Sequence, residues 1–108
     1  MSAYKTVTLE RVGDGFIEFT PAVLKWDPAS YPANMQVSVG GLNGGTYDLY
    51  IIPAGDNDYR LVYEGLTDAD LAMLAGKDAP LFHTVLLNVG GTSGSNITAK
   101  LTLWERGI

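Results

Sequence analysis

The chain has no cysteine. That removes a disulfide framework, thiolate zinc sites and cysteine nucleophiles together, and it is compatible with the cytosol. Basic residues are scarce: seven against twelve acidic ones, for a formal charge of −5. Lys5, Arg11, Lys25, Arg60, Lys77, Lys100 and Arg106 are scattered along the chain rather than clustered. A basic footprint able to neutralise phosphates is missing, so nucleic acid and anionic lipid surfaces are disfavoured partners. No apolar run reaches the roughly 18 residues of a membrane span, and residues 1–6 have no apolar core of the kind a signal peptide carries. Histidine occurs once, at His83.

With 108 residues the chain has the size of one domain, expected to cover residues 1–108. A chain of this length buries roughly 65% of the surface its unfolded form exposes, so it needs no metal or disulfide to fold. The opening methionine suggests a complete small gene product.

The dominant pattern is period-two alternation broken by glycine. Residues 36–53 read as two strands around the turn Gly40-Gly41-Leu42-Asn43-Gly44-Gly45, with Pro53 stopping the second. Residues 5–11 alternate, and Gly13-Asp14-Gly15 leads into a short strand over 16–20, so a hairpin is expected at the N-terminus. Pro21, Pro28 and Pro32 mark an ordered loop, with 23–26 as a short edge strand inside it. Residues 59–64 should pair back on 47–52 across the turn 54–58. Residues 81–89 are apolar enough for a central strand buried on both faces. Ile97, Ala99, Leu101 and Leu103 alternate cleanly with Thr98, Lys100, Thr102 and Trp104.

One helix is expected near residues 68–75. Thr67 is a good N-cap with Asp70 three residues on, Leu66 and Leu71 fit a hydrophobic staple, and Gly76 closes the segment. The whole pattern, about seven strands with turn signals every eight to twelve residues, predicts an all-β fold, a single antiparallel β-sandwich with one short helix. No internal repeat and no second domain emerge. Val7, Leu9, Val37, Val39, Leu49, Ile51, Leu61, Leu71, Leu86, Ile97, Leu101 and Leu103 are the expected core.

Motifs with chemistry are few. His83 lies in an apolar strand beside Phe82, where a lone histidine is usually a hydrogen-bonded structural residue, and no nucleophile elbow accompanies it. Asp56-Asn57-Asp58 spaces oxygen ligands as calcium loops do but lacks the remaining ligands of an EF-hand, and reads as a turn. The glycine pairs 40–41, 44–45 and 90–91 match no phosphate-loop motif. Asn96-Ile97-Thr98 fits a glycosylation sequon with no leader to make use of it. No catalytic residue, metal ligand or cofactor is therefore expected. Trp104 has the opposite parity to Leu101 and Leu103 and should face outward, where an interface anchor would sit. Tyr4, Trp26, Trp104 and Ile108 are the expected interface residues. Tyr47, Tyr50, Tyr59 and Tyr63 are placed to form cross-strand aromatic pairs.

Gly45-Thr46-Tyr47-Asp48-Leu49-Tyr50 is similar to the G-x-Y-x-[LV]-x strand of immunoglobulin-like β-sandwich modules. There the strand carries a cysteine and lies near the C-terminus, whereas here the cysteine is absent and more than half of the chain follows. As a whole, a compact cysteine-free acidic β domain with a glycine/serine loop and extended ends resembles the small accessory virion proteins of tailed bacteriophages, that is, capsid decoration (cement) proteins and tail or adaptor subunits. The resemblance implies a non-enzymatic structural protein, made in the host cytoplasm and located in the virion. Its partners would be copies of itself or a larger major capsid or tail protein. The alternative expectation is a carbohydrate- or small-ligand-binding β-sandwich module, marked by two or three aromatics converging with polar neighbours on one surface.

Overall fold

The computed structural model describes residues 4–27 and 32–106. Its strands are β1 (Tyr4–Val12), β2 (Gly15–Phe19), β3 (Ala33–Gly40), β4 (Thr46–Pro53), β5 (Arg60–Leu66), β6 (Ala72–Leu74), β7 (Phe82–Gly90) and β8 (Asn96–Glu105), with a single short helix, α1 (Pro21–Leu24). They form two four-stranded sheets, ordered β1-β8-β3-β6 and β2-β7-β4-β5. Every pairing is antiparallel.

The outer pairings run β1 with β8, β2 with β7, β3 with β6 and β4 with β5. First meets last, and each successive strand meets the next one in from the other end. That is one long hairpin rolled up into two sheets, the jelly-roll form of the β-sandwich. The expected N-terminal hairpin is not formed, because β1 and β2 lie in different sheets. The same holds for β3 and β4, whose glycine-rich connection crosses from one sheet to the other. The expected pairing of β4 with β5 is present.

Side chains of one parity fill the space between the sheets. Met35, Val37 and Val39 of β3 and Ile97, Ala99, Leu101 and Leu103 of β8 face Tyr47, Leu49 and Ile51 of β4 and Val85, Leu87 and Val89 of β7, all buried. Val7 and Leu9 are half-buried at the β1 flank of this core.

The expected helix near 68–75 is not present. Its capping contacts do form: the Asp70 carboxylate accepts from Thr67 N at 2.7 Å and from the Thr67 hydroxyl at 3.1 Å, and Ala69 N donates to Thr67 Oγ1 at 3.3 Å. They close an isolated turn. Past it, Ala72 and Leu74 are buried two residues apart and pair with Val37 and Met35, so period two wins and the segment becomes β6. Leu71, expected in the core, is exposed. Leu61 is exposed as well, because it faces outward on β5 opposite Tyr50.

The helix lies instead where an edge strand was expected. Thr20 caps α1 by accepting from Val23 N at 3.3 Å, and Pro21 takes the first turn, where its missing N–H costs nothing. Lys25 ends it with a left-handed φ of 51°.

Tyr47 is fully buried, and its hydroxyl has no hydrogen-bond partner. Burial, aided by the Asp70 carboxylate, pushes this phenol up to about 12. A raised tyrosine pKa means that the fold favours the neutral form. The associated stability is complete below the unfolded value near 10 and is lost as pH rises through about 12. Tyr47→Phe removes an unsatisfied buried group, so it should stabilise the fold by about 1 kcal/mol at neutral pH. It should also flatten the alkaline loss of stability above pH 10 relative to the parent. Urea denaturation at neutral pH and at pH 11 checks both. A destabilised variant with the parent's alkaline slope would show that the hydroxyl is satisfied.

Candidate interaction surface

The buried apolar side chains of the two sheets form one core cluster, and the outer faces and edges carry the remaining apolar and aromatic groups. On the outer face of the β2-β7-β4-β5 sheet, register places Glu18, Leu86, Tyr50 and Leu61 in one row across four strands. Tyr59, just ahead of β5, reaches back over this row: its hydroxyl donates to Glu18 Oε2 at 3.1 Å. Its ring meets Tyr50 edge to face, with centroids 6.5 Å apart at 80°. Leu86, in the middle of this row, is only 8% exposed although it lies outside the core cluster. Burial, and then the bond to Glu18, raise the Tyr59 phenol pKa. Of the expected tyrosine pairs, Tyr50 with Tyr59 is realised, while Tyr63 donates to the Met73 carbonyl at 2.9 Å.

Both flanks of the double sheet carry exposed apolar side chains. At the β1/β2 flank, Val12 is 70% and Phe16 62% exposed. A shallow groove of about 370 Å³ runs there, lined by Leu9, Glu10, Arg11, Ile17 and Glu18 in addition to these two. At the β5/β6 flank Leu61, Leu71 and Met73 are exposed, and the Tyr63–Met73 bond ties the two edge strands together.

Two of the residues expected at an interface lie side by side. Tyr4 and Trp104 are register partners of β1 and β8, and Trp104 also pairs with Asn34 of β3. Trp104 is half-buried, and its parity places it on the outer face of that sheet. Trp26 follows α1 and packs half-buried against the core. Ile108 lies outside the described residues.

The loops at one end of the roll are locked to one another. Asp14 Oδ1 accepts from Thr92 N at 3.0 Å and from the Thr92 hydroxyl at 2.6 Å, which holds the Asp14 carboxyl below the usual range. Gly13 N donates to Ser95 O at 2.9 Å, and the Ser95 hydroxyl donates to Gly41 O at 2.6 Å. The connections after β3 and after β7 repeat one conformation. Gly41, Asn43 and Gly44 have φ of 82°, 51° and 85°, while Gly91, Ser93 and Gly94 have 71°, 55° and 77°. Leu42 and Thr92 are fully buried at equivalent places. Val39-Gly40-Gly41 and Val89-Gly90-Gly91 thus begin a short internal repeat, contrary to the sequence reading. These glycines shape turns that pack on each other.

Both ring nitrogens of His83 are hydrogen-bonded within the fold. A carbonyl can only accept, so Nε2 donates to Asp56 O at 3.1 Å, and Nδ1 accepts from the Thr84 hydroxyl at 2.7 Å. The Asp56 carboxylate accepts from Asn57 N at 2.7 Å and Asp58 N at 3.3 Å and meets Arg60 at 3.1 Å. The backbone bond from Asn57 contributes most to lowering its pKa. Its oxygens are spent on the turn. Among the described residues, no three His, Asp or Glu side chains converge as a metal site would require. No helix there is long and apolar enough to cross a membrane.

No protein-family model and no curated protein matches the chain. Among solved structures, the capsular polysaccharide assembling protein CapF from Staphylococcus aureus aligns with 99% of this chain at 10% identity and a TM-score of 0.41. The chain spans 24% of that protein's length.

Proposed function

We propose that the chain is a non-enzymatic structural protein that works by assembly, as a capsid decoration or tail component of a bacteriophage virion. One observation carries the reading. Large apolar side chains stand exposed on both flanks, Val12 and Phe16 on one and Leu61, Leu71 and Met73 on the other. Single exposed apolar residues are ordinary. Pairs of them along the open edges of both sheets are what contacts between subunits bury. Weak contacts of this kind, repeated by symmetry with copies of the chain and a larger virion protein, sum to firm attachment. Trp104, on the outer face beside the first strand, is the proposed anchor on the partner protein.

Co-sedimentation with virion particles lacking the chain tests this. The wild type should saturate a fixed number of sites. Trp104→Ala, or deletion of residues 2–4, should weaken attachment about tenfold or more with the fold intact. Absence of attachment by the wild type, or attachment unchanged in both variants, overturns the proposal.

A second reading draws on the Tyr50–Tyr59 pair with Glu18 beside it. Aromatic rings next to a carboxylate suit a saccharide, whose C–H faces stack while its hydroxyls donate. Titration with soluble glycans, lost in Tyr59→Ala, would favour this reading over assembly.

A further inference from the structure

The four edge strands of the two sheets differ in how they are guarded. β6 has three residues. β5 is broken by two register shifts against β4, where Asp48 accepts from Gly65 N at 2.9 Å. β2 has five residues. Short and irregular edges are how proteins prevent unwanted strand pairing. β1 has none of these guards. Its nine residues pair with β8 in unbroken register from Tyr4–Trp104 to Val12–Asn96, and it contains no proline. Among the described residues, its other side has no strand beside it. The cations that would guard it are drawn onto their own chain: Lys5 Nζ donates to Lys25 O at 3.5 Å, and the Arg11 guanidinium donates to Asp14 O at 2.5 Å and 3.1 Å. The most exposed large apolar side chains, Val12 and Phe16, and the shallow groove lie along this same flank.

We infer that β1 pairs antiparallel with β1 of a second copy, joining two β1-β8-β3-β6 sheets into one eight-stranded sheet across a two-fold axis. The occupant follows from the edges themselves. A head-to-tail contact would have to continue that sheet through β6, which is too short to match nine residues. A β1–β1 pair matches in length by construction, and an antiparallel strand pair accommodates a two-fold axis. The contact is isologous, so it closes at a dimer and forms no filament. It brings the β1/β2 flanks of both copies together, covering Val12 and Phe16 in each. The inference deepens the assembly reading and rests on it for the use of the dimer, not for its formation.

Sedimentation equilibrium of the full chain gives the primary test, with a monomer–dimer equilibrium expected. Val12→Asp/Phe16→Asp changes two exposed positions and should leave the thermal midpoint in place while weakening the dimer about tenfold or more. Val7→Lys adds a charge on the parity of Lys5 and Arg11 that lacks their backbone contacts, and should weaken the dimer likewise, at some cost to the thermal midpoint because Val7 packs against the core. Amide exchange supplies a second readout. Consecutive β1 amides should be slow in the dimer, and alternate ones should become fast on dilution. A chain that is monomeric up to about 1 mM, or a dimer untouched by the exposed double variant and without the exchange signature in β1, overturns the inference. A dimer that fails to join virion particles sinks the proposed function and leaves the pairing standing. A monomer that joins them does the reverse.

Discussion

Leu101→Ala should cost about 2–5 kcal/mol, measured as a shift in the urea midpoint with little change in slope. Leu101 is fully buried. It sits on β8, which has a strand on either side, with Val7 of β1 and Val37 of β3 as its register partners. Truncation therefore leaves a cavity walled by two neighbouring strands and by the opposite sheet. Ordered ladders on both sides keep that space from collapsing, which places the cost in the upper part of the range. The matching change at Leu61, opposite Tyr50 on an exposed edge strand, should cost less than about 1 kcal/mol. Equal losses at the two positions would mean that the inside and outside of the sheets are wrongly assigned.

These two leucines also show what the sequence conveys and what it withholds. β8 was legible because one face of it meets only the core, so its alternation is unbroken from Ile97 to Leu103. β5 was legible as a strand paired with β4, but not in which of its faces is buried, because it is an edge strand: Val62 and Leu66 pack against the core while Leu61 and Tyr63 lie open, and all four are apolar. Apolar residues on both faces erase the pattern that separates inside from outside. The segment at 67–74 misled for another reason. Its cap is real and its hydrogen bonds form, yet a local cap supplies about 1 kcal/mol, too little to hold a two-turn helix when Ala72 and Leu74 become buried by running extended along β3. α1 was hidden by Pro21, which serves equally as a strand stop and as a first helical residue. The roll itself depends on pairings between the two ends of the chain, such as Val7 with Leu101, for which a linear pattern carries no signal.

The surface was less legible than the fold. The outward parity of Trp104 followed from alternation alone. The Tyr59–Glu18 bridge joins residues 41 apart in sequence, and nothing near either residue foretells the other. The repeat after β3 and β7 is faint in the sequence because what recurs is backbone conformation. Only Val-Gly-Gly and a later glycine are shared as residues, and Leu42 and Thr92 fill equivalent buried places with different chemistry. The asymmetry of β1 against the other edges rests on strand lengths and bulges, which pairing alone fixes.

Gly41→Ala should be among the most damaging single changes in the chain, at about 3 kcal/mol or more. Two costs add at this position. Gly41 has φ of 82°, a backbone region that side chains other than glycine occupy only with strain. A Cβ built there would also collide with the backbone carbonyl oxygen of Asn96, at the start of β8, so relief requires one strand to move away from the other. Two neighbours separate the contributions. Gly44 has φ of 85° but open space around its Cβ direction, so Gly44→Ala carries the conformational cost alone, about 1 kcal/mol. Gly45 has an ordinary φ, yet a Cβ there would come within 2.5 Å of Gly90 O and 2.9 Å of the Thr92 side chain, so Gly45→Ala carries the collision alone. The order of loss by urea denaturation should be Gly41 above Gly45 and Gly44. Because the Ser95 hydroxyl donates to Gly41 O and Asp14 holds Thr92, displacing Gly41 should also loosen its neighbours at that end of the roll. Amide exchange at Gly13, Thr92 and Ser95 should rise in Gly41→Ala and stay unchanged in Gly44→Ala. Equal stability of the two variants would show that β8 can yield at Asn96 without cost, and that the locked loop end is softer than its hydrogen bonds imply.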